Sequence, residues 1–180
     1  VKSALLVIDV QMAMCSDEYV AFDIDRVVER INSVSHKARL AGAPVVFIQH
    51  EESEGLFAYG SAGWHLHTQL DVQPTDLRVR KTAPDSFHRT DLAELLAKHG
   101  IRRLIICGLQ SEFCVDATVR RALALGYPVE LLSDAHSTFD NSVLSAQQII
   151  AHHNLTLANM NSFGPSISAV PAASIAFQGQ

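Results

Sequence analysis

The stretch "RRLIICGLQSEFCVDATVRRALALGYPVELL", residues 102–132, decides the fold. It opens with a short apolar run suited to a buried strand, "RRLIIC". After Cys114, Val115, Thr118, Val119, Ala122 and Leu125 recur at helical spacing, and Gly126 closes the segment as a left-handed C-cap. A second apolar run, "YPVELL", follows. Strand, helix, glycine and strand in that order is the unit of a parallel sheet. Cys114 falls near the first turn of the helix, where unpaired backbone N–H groups favour negative charge, a thiolate included. A buried cysteine more commonly behaves as a small hydrophobe, so Cys114 alone leaves both readings open.

The same grammar occurs twice more. Ile24, Val27, Val28, Ile31 and Val34 share one helical face, followed by Gly42 and "PVVFIQ". Leu92, Leu95 and Leu96 precede Gly100 and "RRLIIC". Asp23 and Thr90 are the expected N-caps of these two helices. Strands rich in Val, Ile and Leu alternating with helices predict an α/β fold, a mostly parallel sheet covered on both faces. "ALLVID" is expected as its first, central strand and "LRVRK" as a shorter one. "AQQIIAHHN" is expected as a further helix and "LTLANM" as the final strand. Residues 161–180, rich in Pro, Ser and Gly, are expected to form an irregular tail that packs through Ile167, Val170, Ile175 and Phe177.

At 180 residues and 48% hydrophobic content, the chain predicts one domain spanning residues 1–180. A net charge of −5 without any Lys/Arg run argues against nucleic acid or an anionic membrane surface as partner. The apolar runs are too short to span a bilayer, and no signal peptide is visible before the first strand. Three cysteines, Cys15, Cys107 and Cys114, make no disulfide framework and suggest a cytoplasmic location.

Ligands in open parallel sheets bind beyond the carboxyl ends of the strands. Those ends carry Asp9, His50, Lys81, the turn from Gly108 to Cys114, and Asp134. A carboxylate, an ammonium and a helix-start thiol on one edge suit nucleophilic chemistry: a base for the thiol proton and a cation that favours the thiolate. A Cys–His pair with His50 or His136 as base is the alternative. The histidines, among them His65, His67, His152 and His153, show neither metal-ligand spacing nor an H-E-x-x-H motif, so no metal and no other cofactor is expected. G-x-G-x-x-G, Walker A and G-x-S-x-G motifs are absent.

These residues resemble the isochorismatase-like hydrolases, in particular their cysteine amidohydrolase branch, which includes nicotinamidases and N-carbamoylsarcosine amidohydrolases. The match runs from "ALLVIDVQ" through "RKTAPDSF" and "GLQSEFCVDATVRRALALGYPV" to "LLSDAHST". The resemblance implies a Rossmann-like three-layer α/β/α sandwich and a catalytic triad of Asp9, Lys81 and Cys114. It also implies a non-proline cis peptide at Leu109–Gln110 and an oxyanion hole made by the backbone N–H groups of Gln110 and Cys114. Gln11, Trp64 and Phe87 are expected at the substrate pocket, Phe87 equally as core, and the loop from Glu51 to Gln73 is expected to shape it. Relatives commonly form dimers or tetramers, so a homo-oligomer acting on a small molecule is expected.

Three departures stand out. "QHEESEGLF" lacks the Asp-x-His pair of metal-binding nicotinamidases, whereas the nucleophile cysteine missing from true isochorismatases is retained. "DVQMAMC" lacks the usual acidic-aromatic continuation, which marks the pocket floor near Met12, Met14 and Cys15 as unusual. The expected reaction is C–N hydrolysis of a small amide, ureide or lactam through a Cys114 thioester. Vinyl-ether hydrolysis, a redox thiol protein and a non-catalytic module are the rivals.

Overall fold

The computed structural model describes residues 1–16 and 19–177. In chain order the strands and helices are β1 (Ser3–Ile8), the two-residue β2 (Cys15–Ser16) and β3 (Tyr19–Val20), α1 (Ile24–Leu40), β4 (Val45–His50), β5 (Leu77–Lys81), α2 (Leu92–Lys98), β6 (Arg103–Leu109), α3 (Asp116–Ala124), β7 (Val129–Ser137), α4 (Ala146–Ala158) and β8 (Ile167–Val170). A π-helical turn, Ser111–Val115, joins β6 to α3. Six strands form one parallel sheet in the order β5-β4-β1-β6-β7-β8.

The central strand explains the layers. Every residue of β1 is buried, and its side chains alternate between two cores. Leu5 and Val7 join the core that contains Val27, Ile31 and Val34 of α1. Ala4, Leu6 and Ile8 join the core of Leu92 and Leu96 from α2, Val119 and Ala122 from α3, and Leu157 from α4. Helices thus cover both faces, and the chain folds as a Rossmann-like three-layer α/β/α sandwich. The predicted apolar face of α1 is buried throughout.

Four expectations need correction. "LTLANM" is no strand: α4 starts at a capping box between Ser145 and Gln148 and runs to Ala158. Its alternating leucines are an exposed Leu155 and a buried Leu157 on different sides of a helix. The sixth strand instead lies in the tail, where "ISAV" between two prolines pairs with β7 from Val129↔Ile167 to Leu132↔Val170. Asp134 does not end its strand, because β7 continues to Ser137. Its carboxylate accepts from the Ala172 amide at 2.8 Å and pairs with Arg30 at 3.4 Å, tying the tail to α1. The caps also differ. Asp91, not Thr90, precedes α2, and Thr90 Oγ1 accepts from the Leu92 amide at 3.3 Å. Asp23 occupies the N-cap of α1 but faces Arg26 and Arg30 rather than capping with its side chain.

Gly108 fixes the approach of β6 to β1 beside the site. It pairs with Ile8 and has φ +115°, and a Cβ there would overlap the Ile8 carbonyl and amide. Gly108→Ala should lower the free energy of unfolding by about 3 kcal/mol, from overlap and strained backbone together. Urea denaturation reads this directly, and wild-type stability in the variant would show that the close approach is dispensable.

Candidate active site

Parallel strands that end at one level deliver the polar groups. Asp9 follows β1, His50 and Lys81 end β4 and β5, and the turn after β6 carries Cys114. Lys81 Nζ donates to Asp9 Oδ2 at 2.6 Å and to Cys114 Sγ at 3.2 Å, and it lies 3.5 Å from His50 Nδ1. The Lys81 and Asp9 side chains are 0% and 1% exposed, so water contributes little to solvating either charge. Asp9 sits at φ +49°, a left-handed conformation that aspartate tolerates better than most residues. The Asp9 amide donates to Ile48 O and its carbonyl accepts from the Gln11 amide, both at 2.9 Å, which fixes the turn.

The Cys114 thiol is pushed up to about 12. Burial is the largest cause, the Asp9 charge adds to it, and Lys81 pulls the other way without prevailing. Lys81 thus favours the thiolate as expected, but burial and the Asp9 charge outweigh it. Asp9 Oδ1 is buried without a hydrogen-bond partner, while Oδ2 takes the ammonium. The carboxylate thus keeps one oxygen in reserve for a proton. Cys15 is also pushed up to about 12, by burial alone, and Cys107 is raised as well. Cys114 differs from them in having both a cation and a carboxylate against it.

The peptide bond Leu109–Gln110 is cis. Beyond it the Gln110 carbonyl accepts from the Phe113 and Val115 amides, both at 3.1 Å, which winds the π turn beneath Cys114. His136 packs behind this turn and is 1% exposed. Asn154 Nδ2 donates to Ser133 O at 2.8 Å, leaving Oδ1 as the acceptor for His136 Nε2–H at 3.0 Å. Nδ1 must then accept the Ser111 hydroxyl proton at 2.7 Å. His136 is committed on both nitrogens and is not a base for Cys114; it braces the turn. His50 lines the cleft beside Lys81.

A cleft of about 420 Å³ opens over Cys114. Its apolar wall comes from Met14, Tyr19, Leu56, Phe57, Phe113 and Phe139, and its polar groups include Asp9, His50, Glu52 and Gln110. Leu56 and Phe57 come from the Glu51–Gln73 loop and Met14 from the first loop. None of Gln11, Trp64 and Phe87 lines it. Gln11 is fully buried and clamps the end of β4: Nε2 donates to His50 O and Trp64 O at 2.9 and 2.8 Å, and Oε1 accepts from the His50 amide at 2.9 Å. Trp64 packs edge-on against Tyr59 with ring centres 4.8 Å apart, and Phe87 stacks on Tyr127 in the core under α2 and α3. Phe113, adjacent to Cys114 on a turn too tight to bury both, was the wall residue most readable from sequence. His67 is buried, with Nδ1 accepting from the Gln69 amide. Among the described residues no group of three or more His, Cys, Asp or Glu side chains could hold a metal.

Burial lowers His136 from an ordinary 6.5 to about 4. The unfolded chain therefore takes up this proton first as pH falls, and stability should drop by about 3 kcal/mol between those two values. His67, also lowered by burial, adds to the same limb. His136→Gln should flatten the urea midpoint against pH across that window. An unchanged slope would show that the bracing histidine is not its source.

Comparison with known proteins places this geometry. The isochorismatase domain family matches residues 3–169. A streptothricin hydrolase of Streptomyces noursei is 43% identical over 138 residues, which cover 76% of this chain and 55% of that protein. The chain thus spans about half the length of the streptothricin hydrolases it matches. A ureidoacrylate amidohydrolase of Stutzerimonas stutzeri is 26% identical across 97% of this chain and 86% of that protein. Among solved structures, an isochorismatase family protein superposes with a TM-score of 0.86 at 38% identity, covering 93% of this chain and 97% of the other.

Proposed function

The chain belongs to the isochorismatase family, and on that footing we propose that it is a cysteine hydrolase cleaving a C–N bond of a small amide, ureide or lactam through a Cys114 thioester. The observation that carries this reading is the Cys114 thiol held against Asp9 and Lys81 at the floor of the cleft. The relatives named as hydrolases, one of them an amidohydrolase, support the reaction class.

The proton inventory sets the order of events. At rest the thiol is protonated, and Asp9 stands beside Lys81 as its proton acceptor. As Sγ attacks the carbonyl carbon, its proton passes to Asp9. That transfer removes the carboxylate charge that had held the thiol proton in place, and Lys81 then faces the sulfur alone. The oxyanion accepts from the Gln110 and Cys114 amides, each such donor being worth about 3 kcal/mol of barrier. Asp9 returns the proton to the leaving nitrogen, the C–N bond breaks and a thioester remains. Asp9 then deprotonates a water, which attacks the thioester and releases the acid. The proton goes back to sulfur.

Vinyl-ether cleavage needs proton delivery but no covalent nucleophile, so it gives a thiol in this position no role. The same reading takes residues 1–180 as one domain acting on a small molecule. A homo-oligomer is part of it, supported by exposed apolar side chains such as Tyr59, Val143 and Leu155, and so is a cytoplasmic location, supported by the free thiols of Cys15, Cys107 and Cys114. Among the described residues no helix is long and apolar enough to cross a membrane.

A screen of small amides, ureido compounds and lactams by ammonia or amine release finds the competent substrate. Cys114→Ala should then lower turnover by about 10³-fold or more. Hydroxylamine should divert the wild-type thioester to a hydroxamate. Undiminished turnover in Cys114→Ala sinks the covalent mechanism, and a redox protein would instead show reversible thiol oxidation that does not need Lys81.

A further inference from the structure

We propose that the cleft selects a substrate whose non-reacting part is neutral or positively charged, with N–H donors on an apolar frame, and rejects carboxylates. The inference rests on Cys114 as the nucleophile and names the substrate class of that same site.

The first observation is the charge of the wall. All 14 lysines and arginines lie among the described residues, and none lines the cleft. The nearest ammonium, Lys81, is sealed beneath Asp9 and Cys114 with its side chain fully buried. Arg80, at the end of β5, is held by Glu51 through two hydrogen bonds of 2.7 and 2.9 Å and lies over the Tyr59 ring. A carboxylate entering this cleft finds no guanidinium or ammonium to receive it. It meets Asp9 on the floor and Glu52 on the wall.

The second observation is the hydrogen-bonding character of the polar groups. Glu52 is half-exposed, with His50 Nε2 3.5 Å from one oxygen, so the carboxylate remains open to a ligand. Gln110 is oriented from behind. Thr138 donates its only hydroxyl proton to Glu112 Oε1 at 2.7 Å and can therefore only accept from Gln110 Nε2, at 3.3 Å. That turns the amide nitrogen away and leaves Oε1 as the end available to a ligand. Glu52 and Gln110 thus present acceptors, which call for donors on the substrate. Tyr19, Leu56, Phe57, Phe113 and Phe139 supply the surface for its apolar part.

Alkylation of Cys114 by matched chloroacetamides carrying an aminoethyl, a propyl or a carboxyethyl tail tests this without needing turnover. Rates are read by mass spectrometry, normalised to glutathione and measured at high salt to screen the overall charge. The aminoethyl and propyl reagents should react at least about tenfold faster than the carboxyethyl one. Glu52→Gln should narrow that ratio, and Glu52→Lys should reverse it. Equal rates for all three tails, or a ratio unmoved by Glu52→Gln, overturn the proposal. The same tails on unreactive acetamides, scored by thermal shift on Cys114→Ala, repeat the comparison without the thiol and should give the same ranking. Hydroxamate trapping is independent of both. A charge preference without a thioester strikes only the hydrolytic reading, and a thioester without the preference strikes only this one.

Discussion

The structure turns on one buried ammonium. An uncompensated charge in a protein interior is strongly disfavoured, so Lys81 must be met by an acid wherever it is placed. The acid is Asp9, two strands away in the sheet order, with β4 between them. Adjacent strands lie about 4.8 Å apart, so the two backbones are about 10 Å apart, a gap that a lysine and an aspartate together can bridge. Bridging also requires the strands to end level, which the registers Ile8↔Ile48 and His50↔Lys81 provide. Gln11 holds the intervening end of β4 in place through two hydrogen bonds to the His50 backbone and ties it to the Trp64 carbonyl through a third. It is a buried support of the ion pair.

Placing Cys114 on that pair brings a cost and a use. Burial and the Asp9 charge keep the thiol protonated, so it is a poor nucleophile at rest. The same carboxylate is the group positioned to remove the proton, and once protonated it ceases to oppose the thiolate. In the proposed mechanism the nucleophile is thereby formed during attack. The turn that carries Cys114 is wound by the Gln110 carbonyl and braced from behind by His136, whose neutrality follows from its own burial.

Much of this was legible in the sequence because strong local patterns agreed with the global fold. β1, α1 and the β6–α3–β7 unit have apolar periods long enough to declare themselves. The meeting of Asp9, Lys81 and Cys114 at one edge of the sheet was legible from the strand ends and through family resemblance. The failures have physical reasons. Leu155 and Leu157 fit an alternating strand and a helix equally well, and the capping box at Ser145 decided for the helix. The four residues of β8 carry almost no signal of their own and gain their structure from β7. Asp134 fell inside its strand because β7 carries on through the polar residues that suggested an end. The cleft wall was hardest to read. Met14, Leu56, Phe113 and Phe139 meet from four separate loops, while Trp64 and Phe87, equally aromatic, are absorbed by Tyr59 and Tyr127.

The central claim is that burial and the Asp9 charge together hold the proton on Cys114 until attack. Titration of Cys114 by NMR with carbon-labelled cysteine, in the wild-type protein and in Asp9→Asn, tests it most directly. The wild-type thiol should titrate far above the ordinary cysteine range. In Asp9→Asn it should titrate markedly lower, because Lys81 is then unopposed, while turnover is lost. A wild-type thiolate at neutral pH, or a thiol whose titration is unmoved by the substitution, would contradict the account.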